Sequence, residues 1–111
     1  MHIEVNTDNH IQGRSELTAQ LQALVEDTLG RYADKITRVE VHLSDENGPK
    51  KGENDIRCAM EARLEGLKPM GATSHAAEVE TAVASAADKL LRVIESTLGR
   101  MVDVQSAAPR P

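Results

Sequence analysis

Residues 56–64 read Ile-Arg-Cys-Ala-Met-Glu-Ala-Arg-Leu, and this stretch decides the fold. Apolar and polar side chains alternate along it, so that every second residue from Ile56 to Leu64 is apolar, Cys58 included. A period of two predicts a β-strand with one buried face and one face turned outward. We therefore place the clearest strand of the chain here and read the fold outward from it.

Toward the amino terminus the spacing of the apolar residues changes twice. Alternation at Val39, Val41 and Leu43 predicts a strand over residues 37–44. Before it, apolar residues from Leu17 to Tyr32 follow helical spacing, and Ser15 is a suitable helix N-cap. Residues 2–6 alternate again and predict an opening strand. The turn-rich polar segment 45–55 is predicted to be a loop between the second and third strands.

Toward the carboxyl terminus we expect one more strand and one more helix. Residues 67–72 contain Pro69 and Gly71, so a strand there belongs at a sheet edge. Helical spacing then runs from Ala77 to Leu98, and Gly99 is the expected stop. The order β-α-β-β-β-α predicts an α+β fold, a four-stranded sheet with both helices on one face and the other face left to solvent or a partner. We expect one domain over residues 1–100 and a flexible tail over 101–111.

Composition limits the possible functions. The chain has 111 residues, a formal net charge of −5, and a single cysteine, which alternation places in the core. Apolar runs are too short for a membrane span, and no secretory signal pattern is present. We therefore expect a cytoplasmic protein with no membrane partner, no disulfide and no cofactor.

Aromatic residues are nearly absent, with one Tyr and no Phe or Trp. Proteins that bind single-stranded nucleic acids usually stack bases on exposed aromatic rings. The chain has no residues for such a platform, and its acidic balance is unlike that of a general nucleic-acid binder. A sheet-based RNA-recognition domain is thus disfavoured, and DNA is not expected as a partner.

Outward positions on the first two strands suggest one site for a metal. His2, Glu4, Glu40 and His42 would converge if these strands are neighbours, and imidazoles with carboxylates can hold a transition metal. The alternative is a solvated face of mixed charge, which we favour, so no metal site is predicted. No nucleophile with a local base and no phosphate-binding glycine loop is visible, so no catalytic residue is predicted and an enzyme is disfavoured.

Basic residues form several groups that are candidates for phosphate contacts. They lie near the end of the first helix, in the 45–55 loop, on the outward face of the third strand and on the second helix: Arg31, Lys35, Arg38, Lys50, Lys51, Arg57, Arg63, Lys89 and Arg92. Acidic residues are interspersed among them, so from charge alone we favour internal neutralisation over phosphate contacts.

The sequence resembles the family of ribosome hibernation-promoting factors and ribosome-associated inhibitor A, also called sigma-factor modulation proteins. The resemblance covers residues 1–100 and rests on element order and four segments: Met1–Asn6, Ser15–Val25, Ile36–Leu43 and Ala82–Arg92. It implies a protein without enzymatic activity that binds the small ribosomal subunit and ribosomal RNA. By this resemblance the chain occupies the channel of mRNA and tRNA under stress or in stationary phase, and the basic residues above attach it.

The chain departs from that family in its charge. Between Glu78 and Arg100 it carries three basic and four acidic residues, whereas members of the family are strongly basic there. A second hypothesis is therefore a protein-interaction or regulatory module that keeps the fold without RNA binding. A double-stranded RNA-binding domain is set aside, because Glu78 and Glu80 at the start of the last helix would repel phosphate.

Overall fold

A computed structural model describes residues 1–8, 15–46 and 55–106, with the side chains described up to Arg100. The elements follow the predicted order: β1 (His2–Thr7), α1 (Ser15–Leu29), a 3₁₀ turn (Gly30–Tyr32), β2 (Ile36–Asp45), β3 (Ile56–Leu64), β4 (Met70–Ala76) and α2 (Val79–Ser106). The predicted α+β fold is confirmed.

The four strands lie in the sheet in the order in which they occur in the chain. β1 pairs with β2 in parallel, while β2–β3 and β3–β4 are antiparallel. A parallel pair needs a crossover connection, and α1 lies in the connection between β1 and β2. β1 and β2 are therefore neighbours, which was the condition for the metal site considered above, and the predicted edge position of the last strand is confirmed.

The core lies between one face of the sheet and the two helices. Alternate residues of each strand are buried on this face, and α2 contributes Ala82, Val83, Ala86, Ala87, Leu90 and Ile94, each with no exposed surface. Alanines at three of the positions where α2 meets β3, β4 and α1 let the helix approach closely. The core therefore consists of aliphatic, methionine and cysteine side chains, as the composition requires.

A β-bulge near the start of β2 aligns the second strand with the core. Ile36 pairs with Leu64 and Arg38 with Arg63, so Thr37 is the extra residue between them. The Thr37 hydroxyl donates to the carbonyl of Arg63 at 3.0 Å. The bulge keeps Ile36 buried while Arg38 points to the outer face.

Each edge strand has one outward carbonyl bonded to a helix side chain. Gln22 Nε2 of α1 donates to the carbonyl of Ile3 on β1 at 3.2 Å. Lys89 Nζ of α2 donates to the carbonyl of Thr73 on β4 at 3.3 Å. Unpaired strand edges invite pairing with other chains, so these two contacts partly protect both edges of the sheet.

The predicted bounds of the last strand and of the last helix are wrong. The last strand spans Met70–Ala76, whereas residues 67–72 were predicted, because Glu65–Pro69 form the turn from β3, where Gly66 has a positive φ of 78°. The last helix begins at Val79 and continues through Gly99 to Ser106, whereas an end at Leu98 was predicted. Part of the predicted tail is thus helical, and its flexibility stays a prediction.

None of the helices in the described part of the chain is long and apolar enough to cross a membrane.

Candidate nucleic-acid interface

The outer face of the sheet carries its charges in rows that run across the strands. His2, Arg38 and Arg63 are register partners on β1, β2 and β3, and we call them the basic row. Two residues along each strand lie Glu4, Glu40 and Glu61, also in register, which we call the acidic row. All six side chains point away from the helices, because their chain neighbours in each strand face the core.

Ion pairs connect the two rows. Arg38 contacts the carboxylates of Glu4 and Glu40, the latter at 3.6 Å. Arg63 lies 3.8 Å from Glu40 and 3.4 Å from Glu61. Glu40 is thus shared between two guanidinium groups, and it also lies 3.7 Å from the imidazole of His42. The predicted outward position of Arg63 is therefore correct, and Arg38 points outward as well. Both charges are largely neutralised within the sheet.

The four residues considered for a metal do not converge. Glu4 and Glu40 are register partners, but His2 pairs with Arg38 and His42 pairs with Asn6. Within the described part of the chain, no group of three histidine, cysteine or acidic residues is arranged to hold a metal ion. Arg38 lies between the two carboxylates instead, so ion pairing accounts for this cluster.

Cations on the helices also have partners. Arg31 Nη1 lies 3.4 Å from Glu95 of α2, and Arg92 Nη2 lies 3.3 Å from Asp88 one turn earlier. Lys89 and Arg92 are exposed, in agreement with the prediction, but Lys89 bonds to the edge of β4. On β3, Arg57 lies 3.9 Å from Glu46, which also contacts His75 at 2.9 Å. Lys50 and Lys51 lie outside the described residues.

Four exposed cations have no ion pair with another described residue: Lys35, Lys68, Lys89 and Arg100. Lys89 lies in the middle of α2, where it bonds to a carbonyl of β4. The other three lie at the end of the sheet where β3 turns into β4 and where α2 leaves the core, and we call this region the cationic end. Arg100 donates only to the hydroxyls of Ser96 and Thr97, so its charge is not cancelled. Sequence analysis predicted Lys35 but missed Lys68 and Arg100, because a search for clusters along the chain passes over isolated residues.

A cavity of about 380 Å³ opens at the cationic end. Leu64, Leu67 and Leu98 form its apolar part, and Lys35 and Glu65 lie at its polar side. The backbone N–H of Glu65 donates to the carbonyl of Lys35 at 3.4 Å, which joins the start of β2 to the turn after β3. Lys35 is therefore attached to a hydrogen-bonded part of the sheet, and its side chain extends from a fixed base.

The arrangement suits contact with phosphates better than chemistry at a reactive group. Unpaired Lys and Arg side chains provide point charges and a planar donor group for phosphate oxygens. Cys58 is the one cysteine, and burial raises the pKa of its thiol to about 12, which the charge of Arg57 offsets in part. A thiol in this state is not a nucleophile at neutral pH.

Comparison with solved structures finds the same fold in two proteins. One is the N-terminal domain of Protein Y from Thermus thermophilus, with a TM-score of 0.69 and 18% identity over 87% of this chain and 99% of that one. The other is a ribosomal subunit interface protein from Coxiella burnetii, with a TM-score of 0.65 and 17% identity over 89% of this chain and 99% of that one. At these identities the likeness establishes the fold.

A search of curated proteins finds no match. The family model described as sigma 54 modulation protein / S30EA ribosomal protein, by contrast, matches residues 10–102. That match covers α1, all of β2, β3 and β4, and most of α2. The resemblance drawn from the sequence is confirmed: the chain belongs to the sigma 54 modulation protein / S30EA ribosomal protein family.

Proposed function

We propose that this protein is a cytoplasmic, non-enzymatic modulator of translation that binds the small ribosomal subunit and blocks the channel of mRNA and tRNA under stress or in stationary phase. The family match over residues 10–102 is the observation that carries this proposal. The solved relative from Coxiella burnetii is named a ribosomal subunit interface protein, which points to the same partner. Steric occlusion and electrostatic attachment are sufficient for such a role, and no reaction is required.

The cationic end is the part of the surface that we propose as the main contact with ribosomal RNA. Structured RNA is recognised largely through its phosphates and 2′-hydroxyls, for which aromatic side chains are not needed. A cation without an intramolecular ion pair binds phosphate without first losing a carboxylate partner. Lys35, Lys68 and Arg100 meet this condition and lie together at the cationic end.

The other predicted cations contribute less in this proposal, because each described one has an internal partner. Contact of Arg31 with a phosphate, for example, competes with Glu95 at 3.4 Å. Exposed ion pairs are worth about 0–1 kcal/mol, so such competition reduces a contact without preventing it. Arg38, Arg57, Arg63 and Arg92 are in the same position. Lys89 would lose only its hydrogen bond to the Thr73 carbonyl, and Lys50 and Lys51 remain candidates.

The test is co-sedimentation with purified ribosomes through sucrose gradients at a series of salt concentrations. We expect migration with the small subunit and a linear fall of log K with log salt. A variant with Lys35→Gln, Lys68→Gln and Arg100→Gln removes three phosphate contacts, so the slope should decrease by about 2 units.

A matched variant separates local contacts from net charge. Ser15→Glu, Gln20→Glu and Ala77→Glu also change the net charge by three units, at exposed positions away from the cationic end. This control should keep the slope of the unsubstituted protein. An equal decrease of the salt slope in both variants would show that net charge alone governs binding. The cationic end would then be rejected as the contact with ribosomal RNA.

One observation favours the second hypothesis, a protein-interaction module without RNA binding. Arg31, Arg38, Arg57, Arg63 and Arg92 all have carboxylate partners, so little of this charge is available to RNA. Such a module would bind ribosomes weakly, or its binding would show a slope of log K against log salt near zero. Absence of co-sedimentation at every salt concentration would favour this hypothesis over the first.

A further inference from the structure

The charges on the outer face of the sheet are self-complementary. On each of three neighbouring strands a basic residue lies two positions from an acidic one: His2 and Glu4, Arg38 and Glu40, Arg63 and Glu61. Register aligns these pairs into the basic row and the acidic row, about 7 Å apart along the strands. The pattern holds although β3 runs opposite to β2, because its order of acid and base is also reversed.

From this pattern we infer that the outer face of the sheet is a docking surface for a second copy of this chain, with the basic row of each copy over the acidic row of the other. A two-fold axis that runs across the strands, midway between the rows, produces this arrangement. Arg63 then lies over the partner's Glu61, and Arg38 lies over the partner's Glu40. An axis along the strands would instead place like rows over each other, so the charges select one orientation.

The ion pairs within one copy leave capacity for a partner. Charge-assisted hydrogen bonds between Arg and carboxylate have lengths of about 2.7–2.9 Å. The contacts of Arg63 with Glu40 and Glu61 are longer, at 3.8 and 3.4 Å.

The shape of the face allows two sheets to approach. Ala59 on β3 and Gly71 on β4 leave a depression of about 550 Å³, bounded by Glu40, Glu61 and other residues of the face. The partner's Arg63 can therefore lower its guanidinium group beside these carboxylates. Sheets packed face to face lie about 10 Å apart with strands nearly aligned, which the proposed axis satisfies.

The sheet edges favour this mode of association over strand pairing. Gln22 and Lys89 bond to outward carbonyls of β1 and β4, so both edges are partly occupied. The outer face, by contrast, is covered by no described element. A face-to-face dimer would cover Arg38 and Arg63, which are also among the predicted RNA contacts, so dimerisation competes with that part of the proposed ribosome binding. The inference itself does not rest on the proposed function.

The test is sedimentation equilibrium of the purified chain without ribosomes, over a range of protein concentrations. We expect a monomer–dimer equilibrium that weakens as salt rises from about 0.1 M to about 1 M, because the Debye length falls from about 10 Å to about 3 Å. Arg63→Glu alone and Glu61→Arg alone each place like charges over each other, so dimerisation should decrease at least tenfold. Circular dichroism checks that each variant is folded.

Complementary variants make the test specific. The chain with both substitutions restores the pattern and should dimerise like the unsubstituted protein. An equimolar mixture of the two single variants should form the heterodimer, although neither forms a homodimer. A monomer under all conditions, a dimer that ignores the single substitutions, or a mixture no better than its components would each overturn the inference.

Discussion

Cys58 lies near the middle of β3, and its side chain has no exposed surface. Burial disfavours the charged thiolate and raises the pKa of this thiol from 9.0 to about 12. The folded chain therefore holds this proton at pH values where the unfolded chain releases it. By linkage, the neutral thiol stabilises the fold below the unfolded pKa, and this contribution is lost as the pH rises.

We predict that Cys58 makes the fold sensitive to alkaline pH. Between about pH 9 and pH 12 the free energy of unfolding should fall by up to about 1.4 kcal/mol per pH unit from this group. Urea unfolding of the protein and of Cys58→Ala across this range gives the measurement. In Cys58→Ala, this part of the fall in the free energy of unfolding with pH should be absent. An equal pH dependence in both proteins would show that unfolding does not change the ionisation of Cys58.

Single residues were predictable from the sequence where alternation decides their side of the sheet. The burial of Cys58 and the outward positions of Arg57 and Arg63 are all confirmed. Their ion-pair partners were not predictable, because a partner such as Glu40 for Arg63 depends on the register between two strands. The bulge at Thr37 shifts this register by one residue, and no pattern in β2 marks it.

At the scale of the elements, two glycines have different structural roles, one in the turn from β3 to β4 and one inside α2. Gly66 in the turn from β3 to β4 has a φ of 78°, where a side chain is strained. Gly99 lies inside α2 and has open space around the position of a Cβ. Gly66 is therefore needed for its turn, while Gly99 only weakens α2.

We predict opposite effects for alanine at these two positions. Gly66→Ala should destabilise the protein by about 1 kcal/mol, since a left-handed conformation is disfavoured for alanine. Gly99→Ala should stabilise it by up to about 1 kcal/mol, the difference in helix propensity between the two residues. Thermal unfolding measures both, and a destabilising Gly99→Ala would mean that the helix ends there.

The same glycine explains why the end of α2 was mispredicted. Glycine often follows the last turn of a helix, and Gly99 comes directly after the last apolar position of the core, Leu98. A glycine costs a helix interior only about 1 kcal/mol, which neighbouring turns can offset. α2 therefore continues through Gly99 to Ser106.

On the scale of the whole molecule, the unpaired cations are separated from the acidic start of α2. Glu78 and Glu80 lie at the beginning of this helix, and Arg100 lies near its other end. Lys35 and Lys68 lie at the same end of the sheet as Arg100. Net charge alone conceals this distribution, because the sum of −5 does not show where the cations lie. The composition therefore predicted weak nucleic-acid binding, while the fold provides one cationic end.

We predict that the middle of α2 contributes less to ribosome binding than the cationic end. In a variant with Lys89→Gln and Arg92→Gln, the salt slope should decrease by less than about 1 unit, because Asp88 already neutralises Arg92 and Lys89 is bonded to β4. Co-sedimentation over a salt series measures it, and Arg92→Lys serves as the charge-preserving control. A decrease larger than that of the cationic-end variant would place the main contact on α2.

The order of the elements has a consequence for folding during synthesis. Strands β1 to β4 add to the sheet in chain order, but α1 covers only part of their inner face, and the rest stays open until Leu90 and Ile94 of α2 are in place. An apolar sheet face has to be buried against a second layer. This domain therefore reaches its folded state only when α2 has left the ribosome that makes it, so the proposed binding to ribosomes begins only after α2 has been synthesised.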